Sequence, residues 1–180
     1  MDHLNDIELV NRALAGNALA FEHLVKRHYQ NVYRLSYKWC GVKEDAEDIV
    51  QEVFVKLARK LKSFGQRSAF KTWLYRVTIN TAKDFIRKSA TKRGYEEAYA
   101  VEQGAENPGP APQHEAVDAQ RLYRALNKLP EKQKDAVLLV LSEGLSHKEA
   151  ARSLGCPEAT ISWRIFQARK KLVKYLGQES

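Results

Sequence analysis

The sequence predicts an all-α protein built from two small helical domains joined by a flexible linker. Apolar residues recur at steps of three and four along most of the chain, as in amphipathic helices, and no segment alternates as a half-buried strand does. Near the middle, an acidic stretch rich in proline and glycine contains no Lys or Arg and too few apolar residues to fold alone. We therefore predict a first domain over residues 1–93, a linker over 94–118 and a second domain over 119–180.

The composition indicates a protein that binds an anionic partner. The sequence gives no sign of a membrane protein, a metal site or an enzyme. The formal net charge is +8 at pH 7, which is typical of nucleic-acid binding. No apolar run approaches the roughly 18 residues that span a bilayer, and the acidic N-terminus lacks a signal-peptide core, so we predict a cytoplasmic protein without membrane insertion. Cys40 and Cys156 lie far apart, the histidines are scattered, and no nucleophile–base set is visible, so we predict no metal, no cofactor and no catalysis.

The first domain is predicted to contain four helices. The first ends at Gly16 and the second, a long one, ends near Gly41, because glycine can adopt the left-handed conformation that closes a helix. A third spans about residues 43–61, and a fourth spans about 69–88 with Ser68 as its N-cap. The apolar positions that mark these helices are Ile7, Val10, Leu14, Phe21, Leu24, Val25, Val32, Leu35, Trp39, Ala46, Ile49, Val50, Val53, Leu57, Phe70, Leu74, Val77 and Phe85.

The third predicted helix carries different chemistry on its two sides. Its polar side is acidic and consists of Glu44, Asp45, Asp48, Gln51 and Glu52. Acidic residues in a first turn stabilise any helix through its dipole, and a solvated face needs no partner. A compact acidic patch on a basic protein also suits a second, basic protein surface. The residues alone leave both interpretations open.

A polar stripe follows the fourth helix beside its buried positions. It consists of Trp73, Arg76, Asn80, Lys83 and Arg87, and further cations continue it past the helix at Lys88, Lys92 and Arg93. Aromatic faces that stack on bases, together with cations that pair with phosphates, are typical of proteins that bind single-stranded nucleic acid. A tryptophan at helical spacing could equally belong to the core.

The second domain is predicted to begin with two helices and to end in a helix-turn-helix. Leu122, Leu126 and Leu129 form one apolar stripe, and Pro130 begins a second helix that Gly144 ends. The apolar positions of that second helix are Ala136, Val137, Val140 and Leu141.

The segment from Ser146 to Leu176 has the pattern of a helix-turn-helix. Ser146 and Glu149 can form a capping box, Gly155 can end the first helix, and Pro157 suits the first turn of the second. The stripe predicted to be buried in the second helix is Ile161, Ile165, Ala168, Leu172 and Leu176, and the opposite side carries Trp163, Phe166, Gln167, Lys170 and Lys174. Such side chains can read base edges and bind phosphates in a major groove. A solvated helix face that carries two aromatic residues without a binding role would show the same pattern.

Several motifs, in this order, resemble the bacterial RNA polymerase sigma factors. DAEDIVQEVF at residues 45–54 pairs with FKTWLYRVTIN at residues 70–80, and LP at 129–130, GLS at 144–146 and TISWRIFQAR at 160–169 complete the pattern. The resemblance covers nearly the whole chain. With two helical domains and a short linker, the chain is similar to the extracytoplasmic-function (group IV) sigma factors, and the run TWLYRVTINTAKDF brings it nearest to the envelope-stress type.

This resemblance implies a role for each surface in promoter-specific transcription initiation. The first domain would bind the coiled coil of the β′ subunit of core RNA polymerase through Asp45, Asp48, Gln51, Glu52 and Phe54. It would hold the melted −10 element and capture a flipped base through Phe64, Gln66, Arg67, Ser68, Trp73, Arg76, Asn80, Lys83 and Arg87. The second domain would read the −35 duplex through Thr160, Ser162, Trp163, Arg164, Phe166, Gln167 and Lys170. The resemblance also implies the polymerase β flap as a contact, a linker path near the RNA exit, and an anti-sigma protein as the restraint.

The predicted recognition helix departs from the family pattern at three positions. Ser162 stands where the family usually has a cation, Trp163 where it has a small residue, and Gln167 where it has Arg. A glutamine side chain pairs with adenine more naturally than with guanine. We therefore expect the −35 preference to differ from that of the common envelope-stress element.

Two other classes of protein remain as alternatives at this point. A helix-turn-helix regulator would bind operator DNA as a dimer without polymerase, but the chain shows no obvious dimerisation helix or ligand domain. An RNA-binding protein would prefer RNA to promoter DNA at matched salt. A gel shift separates the regulator from a sigma factor, because a regulator binds promoter duplex alone whereas a sigma factor needs core polymerase.

Overall fold

The computed structural model describes residues 3–100 and 114–177, with side chains described over 3–89 and 121–177. Within these ranges the chain forms eight α-helices and no β-strand, which confirms the predicted all-α class. None of these helices combines the length and the apolar character that a membrane crossing requires.

Four helices form the first domain. They are α1 (Asp6–Leu14), α2 (Ala18–Cys40), α3 (Lys43–Lys60) and α4 (Phe70–Ala100), with a short 3-10 turn at Leu61–Ser63. Asn5 and Glu8 form a capping box at the start of α1, and Gly41 ends α2 in the left-handed conformation at φ 76°. Helix α2 lies at the centre and packs against α1, α3 and α4.

The start of α4 differs from the prediction by one residue. The helix begins at Phe70, and the Ala69 carbonyl accepts a hydrogen bond from the Trp73 N–H at 3.2 Å. Ala69 therefore occupies the cap position that the sequence assigns to Ser68, and Ser68 belongs to the preceding loop.

The end of α4 lies well beyond the prediction. The helix continues past Lys88 to Ala100, and the next helix begins at His114. Both ends of the predicted 94–118 linker are therefore helical, and its central part, 101–113, lies outside the described residues. The reason for the extension is that residues 89–100 contain no proline, and a single internal glycine costs a helix only about 1 kcal/mol.

Four further helices form the second domain. They are α5 (His114–Asn127), α6 (Glu131–Val137), α7 (His147–Leu154) and α8 (Glu158–Gly177), and a π-helical turn at Leu138–Ser142 continues α6. Helices α7 and α8 are the predicted helix-turn-helix. Ser146 and Glu149 form the predicted capping box, and Gly155 ends α7 in the left-handed conformation at φ 64°.

The two domains pack directly against each other, whereas the sequence predicts two separate bundles on a tether. A continuous cluster of buried apolar side chains runs from the first domain into the second. Helix α4 packs on α7, and α2 packs on the π-helical turn. Hydrophobic periodicity shows which side of a helix is apolar but not which other elements cover the remaining sides. The contact between the domains therefore could not be predicted from the sequence.

A carboxylate anchors α1 to α2 beneath the aromatic cluster of α4. Asp6 accepts hydrogen bonds from Arg27 and from His28 Nε2, each at 2.9 Å, and the buried His28 ring lies 5.2 Å from the Phe70 ring. Burial alone would raise the pKa of Asp6, but the hydrogen bonds and charges of His28 and Arg27 outweigh it and lower the pKa.

We expect Asp6→Asn to lower the free energy of unfolding by about 1–2 kcal/mol at pH 7, because the ion pair with Arg27 is lost and only one of the two acceptor oxygens remains. A carboxyl with a lowered folded-state pKa stabilises the fold above its unfolded pKa and loses that contribution as the pH falls through the folded value. The difference between wild type and variant should therefore shrink in acid. Urea unfolding at a series of pH values checks this, with Glu22→Gln, at an exposed pair with Lys26, as the control that changes little. A difference that stays constant down to low pH would contradict the assignment.

Candidate partner and nucleic-acid surfaces

Helix α3 presents the predicted acidic face on its outer side. Glu44, Asp48 and Gln51 are exposed, and Asp45 and Glu52 are half-buried. This orientation follows from the apolar side of the helix, which is buried through Ala46, Ile49, Val50, Val53 and Leu57. The face is therefore accessible to a partner in this arrangement of the chain.

The later part of the same face meets a basic and an aromatic neighbour. Glu52 pairs with Lys56 at 2.9 Å, and Lys56 also reaches Asp84 on α4 at 3.6 Å. Phe54 is half-buried and stacks on the Tyr29 ring, with centroids 6.2 Å apart. An acidic surface bordered by an aromatic pair is suited to a basic, partly apolar partner.

Three aromatic rings form a cluster where the loop before α4 meets the helix. The Phe64 and Trp73 centroids lie 5.4 Å apart, and both rings contact Phe70. Phe64 is only 4% exposed, so it supports the cluster from below and does not present a ring to a partner. Trp73 is half-buried and borders an open cleft. Trp73, with Phe64 behind it, is therefore the more accessible of these two rings at the cleft.

The loop itself is held over α1. Gln66 has the left-handed conformation at φ 53°, and its side-chain amide donates to Asn11 at 2.9 Å. Arg67 is exposed and Ser68 half-buried beside the cleft, which measures about 920 Å³. The far wall of this cleft is the turn of the helix-turn-helix, so both domains line it.

The predicted cationic stripe of α4 faces the second domain. Lys83 pairs with Glu131 at 3.0 Å and with Asp135 at 2.5 Å, and Arg87 approaches both Glu131 oxygens at 3.4 Å. Arg76 Nε donates to the Ser153 carbonyl at 2.7 Å. Asn80, between them, is exposed at a second, smaller cleft.

Helix α8 exposes the aromatic side chains predicted for it. Trp163 is 57% and Phe166 55% exposed, and the Lys170 ammonium lies 4.7 Å from the centroid of the Phe166 ring. Gln167 is half-buried and Ser162 exposed. The predicted buried stripe is present, with Ile161, Ile165 and Ala168 buried and Leu172 and Leu176 half-buried.

Two contacts fix the start of α8 against its surroundings. Ser162 Oγ lies 2.8 Å from His147 Nδ1 on α7, which ties α8 to α7. Arg164 is half-buried and reaches the Cys156 sulfur at 3.5 Å, and Thr160 is half-buried as well. The side chains at 160–164 are therefore divided between the exposed face and the cleft between the domains.

Glu143 forms a polar cluster between the domains that the sequence analysis missed. Its side chain is 0% exposed and accepts hydrogen bonds from Tyr75 at 2.8 Å and from Arg34 and Lys38 at 3.2 Å each. Burial alone would raise the pKa of Glu143, but the hydrogen bonds from Arg34, Tyr75 and Lys38 outweigh burial and lower it. Burial, together with the neighbouring carboxylate, raises the pKa of Tyr75.

Asp135 forms a second such cluster. It is 2% exposed, and it accepts from Trp39 Nε1 at 3.2 Å as well as from Lys83. Burial raises the pKa of Asp135 although Lys83 acts against the shift. The neighbouring Lys134 donates to the Trp39 carbonyl at 2.7 Å, and burial lowers the pKa of Lys134 to about 8.

No local pattern in the sequence marks these two clusters. Trp39 and Tyr75 occupy buried positions that read as apolar core, and Glu143 stands beside the glycine that ends a helix. Their partners lie 52–109 residues away along the chain. The only available signal was the placement of two acids, Asp135 and Glu143, at either end of the apolar run 136–141.

Both domains match known sequence families. A family model for sigma-70 region 2 matches residues 24–92, and one for sigma-70 region 4 matches residues 119–172. The chain is 33% identical to the ECF RNA polymerase sigma-E factor of Haemophilus influenzae, over 95% of each chain. It is 34% identical to the ECF RNA polymerase sigma-E factor of Escherichia coli K12, over 95% of this chain and 94% of that one.

Solved structures show the same arrangement of helices. The structure of CnrH in complex with the cytosolic domain of CnrY has a TM-score of 0.75 and 26% identity, and the match covers 97% of this chain and 99% of that one. The sigma factor RpoE of Bartonella quintana, in complex with the anti-sigma factor NepR, has a TM-score of 0.65 and 26% identity over 87% of this chain and 96% of that one.

Proposed function

The chain belongs to the extracytoplasmic-function family of RNA polymerase sigma factors, and on this premise we propose which of its surfaces carry each step of initiation. As a member of this family it binds core RNA polymerase and directs transcription from specific promoters, a role that is not enzymatic. The observation that carries this function is the match of both domains, in order, to relatives of nearly equal length. An operator-binding regulator is not favoured, because those relatives cover both domains and not the helix-turn-helix alone.

A run-off transcription assay tests this function directly. Core RNA polymerase with the purified chain should produce transcripts from templates that contain a cognate −10/−35 promoter, and core alone should not. A mixture of bacterial genomic fragments supplies many candidate promoters at once, so the cognate sequence need not be chosen in advance. The absence of any transcript above the level of core alone would refute the proposal.

We propose that the acidic face of α3 binds the coiled coil of the polymerase β′ subunit. The face comprises Asp45, Asp48, Gln51 and Glu52, with Phe54 at its border. Exposure, a shared negative charge and a rigid helix support this assignment. The second domain would contact the β flap, and catalysis would reside entirely in the polymerase.

The −10 element is proposed to bind along the loop before α4 and along the cationic stripe of α4. Trp73 would stack on a flipped base, with Phe64 as its support and with Gln66, Arg67 and Ser68 at the rim. Arg76, Asn80, Lys83 and Arg87 would hold the strand. Unstacking a base costs a few kcal/mol, which stacking and phosphate contacts must offset.

The −35 duplex is proposed to bind α8 through its exposed side. The residues proposed for this contact are the exposed Ser162, Trp163, Phe166 and Lys170, together with the half-buried Thr160, Arg164 and Gln167 at their edge. Helix α8 begins next to the tight turn of a helix-turn-helix, which is the geometry that places a recognition helix in a major groove. The two exposed aromatics can contact thymine methyl groups, and the glutamine can pair with adenine.

We expect Gln167→Ala to relax selectivity at one position of the −35 element, because a bidentate pair discriminates against the wrong base by about 1–3 kcal/mol. Binding of holoenzyme to a library randomised over the −35 element, followed by sequencing, measures this. Gln30→Ala, at an exposed glutamine on α2, is the matched control and should keep the wild-type preference. An unaltered preference in Gln167→Ala would show that this side chain does not read sequence.

The remaining assignments follow from the same premise. We propose functional domains at 1–93 and 119–180, a linker at 94–118 whose centre passes near the RNA exit, and action in the cytoplasm together with polymerase. Related chains have been solved in complex with an anti-sigma factor or with a partner's cytosolic domain. We propose that an anti-sigma protein restrains this chain as well.

A further inference from the structure

We propose that the cleft between the loop before α4 and the turn of the helix-turn-helix is a binding site for a free nucleoside triphosphate. Its volume of about 920 Å³ lies within the range of roughly 300–1,000 Å³ that is typical of small-molecule sites. The base would lie against Trp73, and the phosphates would lie among the cations of the cleft. The site uses a side chain that is also assigned to the −10 base, but it requires neither DNA nor polymerase.

The lining of the cleft is strongly basic. Four cations and one acid line it, and these are Arg67, Arg76, Lys148, Arg152 and Glu158. Arg67, Lys148 and Arg152 are exposed, and none of the three takes part in an ion pair within the described ranges of the chain. A cleft lined by one sign of charge concentrates its field and attracts ions of the opposite sign. The ligand is therefore expected to be an anion.

A second acid near the cleft is already occupied by its own helix cap. Glu149 lies close enough to Arg152 for their charges to interact. Its carboxylate accepts hydrogen bonds from the Ser146 hydroxyl at 2.7 Å and from the Ser146 N–H at 2.9 Å. Because the cap holds this carboxylate, the donors of Arg152 stay available for a ligand.

The helix ends at the far wall also favour an anion. Arg76 donates through Nε to the Ser153 carbonyl at 2.7 Å and through a terminal nitrogen to the Arg152 carbonyl. Arg76 thus covers the negative end of α7, and it keeps its charge because carbonyls are neutral. Helix α8 begins at Glu158 in the same wall, next to the lining residue Pro157. The positive end of the α8 dipole therefore adds to the four cations.

Trp73 provides the surface for the base. The ring is half-buried and lines the cleft. Phe64 and Phe70 fix its position, with centroids 5.4 and 5.9 Å from that of Trp73. A ring that is held in place loses little conformational entropy when a ligand stacks on it. Stacking accepts every base, because each has a π-face, so the site should select the nucleotide class and not one base.

The ratio of cations to aromatic rings separates a free nucleotide from a nucleic-acid strand. A strand carries one phosphate charge for each base, whereas a nucleoside triphosphate concentrates several charges beside a single base. The cleft combines four cations with two lining rings, and of these only Trp73 is accessible, since Phe64 is 4% exposed. This composition matches the triphosphate better than the strand.

One consequence is competition between the nucleotide and the −10 base. Trp73 borders the cleft as a single ring, so it can stack on one base at a time. A bound nucleotide would therefore occupy the position that a flipped base needs. The nucleotide concentration would then set how much of the free chain has an unoccupied Trp73.

Isothermal titration calorimetry of the full-length chain with GTP, ATP and inorganic triphosphate tests the proposal. Both nucleotides should bind with a stoichiometry near one. Inorganic triphosphate, which has no base, should bind about tenfold more weakly, because it cannot stack on an aromatic ring. Trp73→Ala should weaken GTP to about the affinity of inorganic triphosphate, and Trp73→Phe should retain most of the affinity for GTP.

A second variant examines the cations of the second domain without touching an aromatic ring. Lys148→Gln with Arg152→Gln changes two exposed positions of α7, so the fold should be kept, as circular dichroism checks. We expect the affinity for GTP and for inorganic triphosphate to fall about tenfold or more, because charge-assisted hydrogen bonds are lost. Lys26→Gln with Arg169→Gln removes one exposed Lys and one exposed Arg outside the cleft, and this matched control should bind as the wild type does.

Any of three results overturns the proposal. The first is the absence of GTP binding, including the case in which a three-nucleotide DNA binds and GTP does not, which would assign the cleft to a strand. The second is equal affinity for GTP and inorganic triphosphate, and the third is equal loss of affinity in the cleft variant and the matched control. Failure of the −10 assignment is seen separately, as normal promoter opening by holoenzyme with Trp73→Ala, and it leaves the titrations of the free chain unaffected.

Discussion

Reversal of two charges on α3, Asp48→Lys with Glu52→Lys, is expected to reduce the affinity of the chain for core RNA polymerase by tenfold or more. Truncation or reversal at a close interfacial charge pair typically costs about 1.4 kcal/mol or more, which is a factor of ten. Both side chains lie on the outer side of the helix, and Glu52 engages only its neighbour Lys56 in the described contacts. The fold should therefore remain intact while a basic partner is repelled.

A pull-down or fluorescence titration with core polymerase measures this affinity, and thermal unfolding checks the fold. Glu22→Lys reverses one exposed acid on α2 and should bind as the wild type does. The reduction should weaken as salt is added, because exposed charges are screened over about 10 Å at 0.1 M. Equal affinity of the reversed chain and the wild type would remove the case for this face.

Replacement of the half-buried tryptophan, Trp73→Ala, is expected to reduce promoter opening by holoenzyme about 10- to 100-fold. Stacking on an aromatic ring is worth about 1–3 kcal/mol per base, and a captured base also stabilises the melted strand. Trp73 borders the open cleft, and the Phe64 and Phe70 rings at 5.4 and 5.9 Å hold its position. Closed-complex formation should change little, because the second domain contacts the −35 duplex independently of this ring.

Permanganate reactivity of unpaired thymines reports the opening, and a gel shift reports the closed complex. Trp73→Phe preserves an aromatic face and should retain most of the opening activity. Trp73→Ala can also lower the stability of the fold, which is a separate effect. Its thermal transition is therefore compared with that of Phe64→Ala, a control that removes a buried ring that we do not expect to touch a base. Normal opening by Trp73→Ala would show that this residue is part of the core and not a platform.

Local features of the chain were predicted well because their causes lie within a few residues. The capping box at Ser146 and Glu149, the left-handed stops at Gly41 and Gly155, and the buried stripe of α8 all follow from short-range spacing. The predicted end of α4, near Lys88, was wrong. The prediction relied on the acidic, proline-rich composition of the linker, although no proline follows Lys88 closely enough to stop the helix there.

The order of residue types along the chain was sufficient for the all-α class, the helix-turn-helix, the acidic face of α3 and the family, because each depends on which residues recur at helical spacing. The folded arrangement was needed to show that Phe64 lies beneath Trp73, that Glu143 and Asp135 are buried between the domains, and that the stripe of α4 is covered. These contacts join residues far apart along the chain, and their free energy depends on desolvation and geometry that no local pattern encodes.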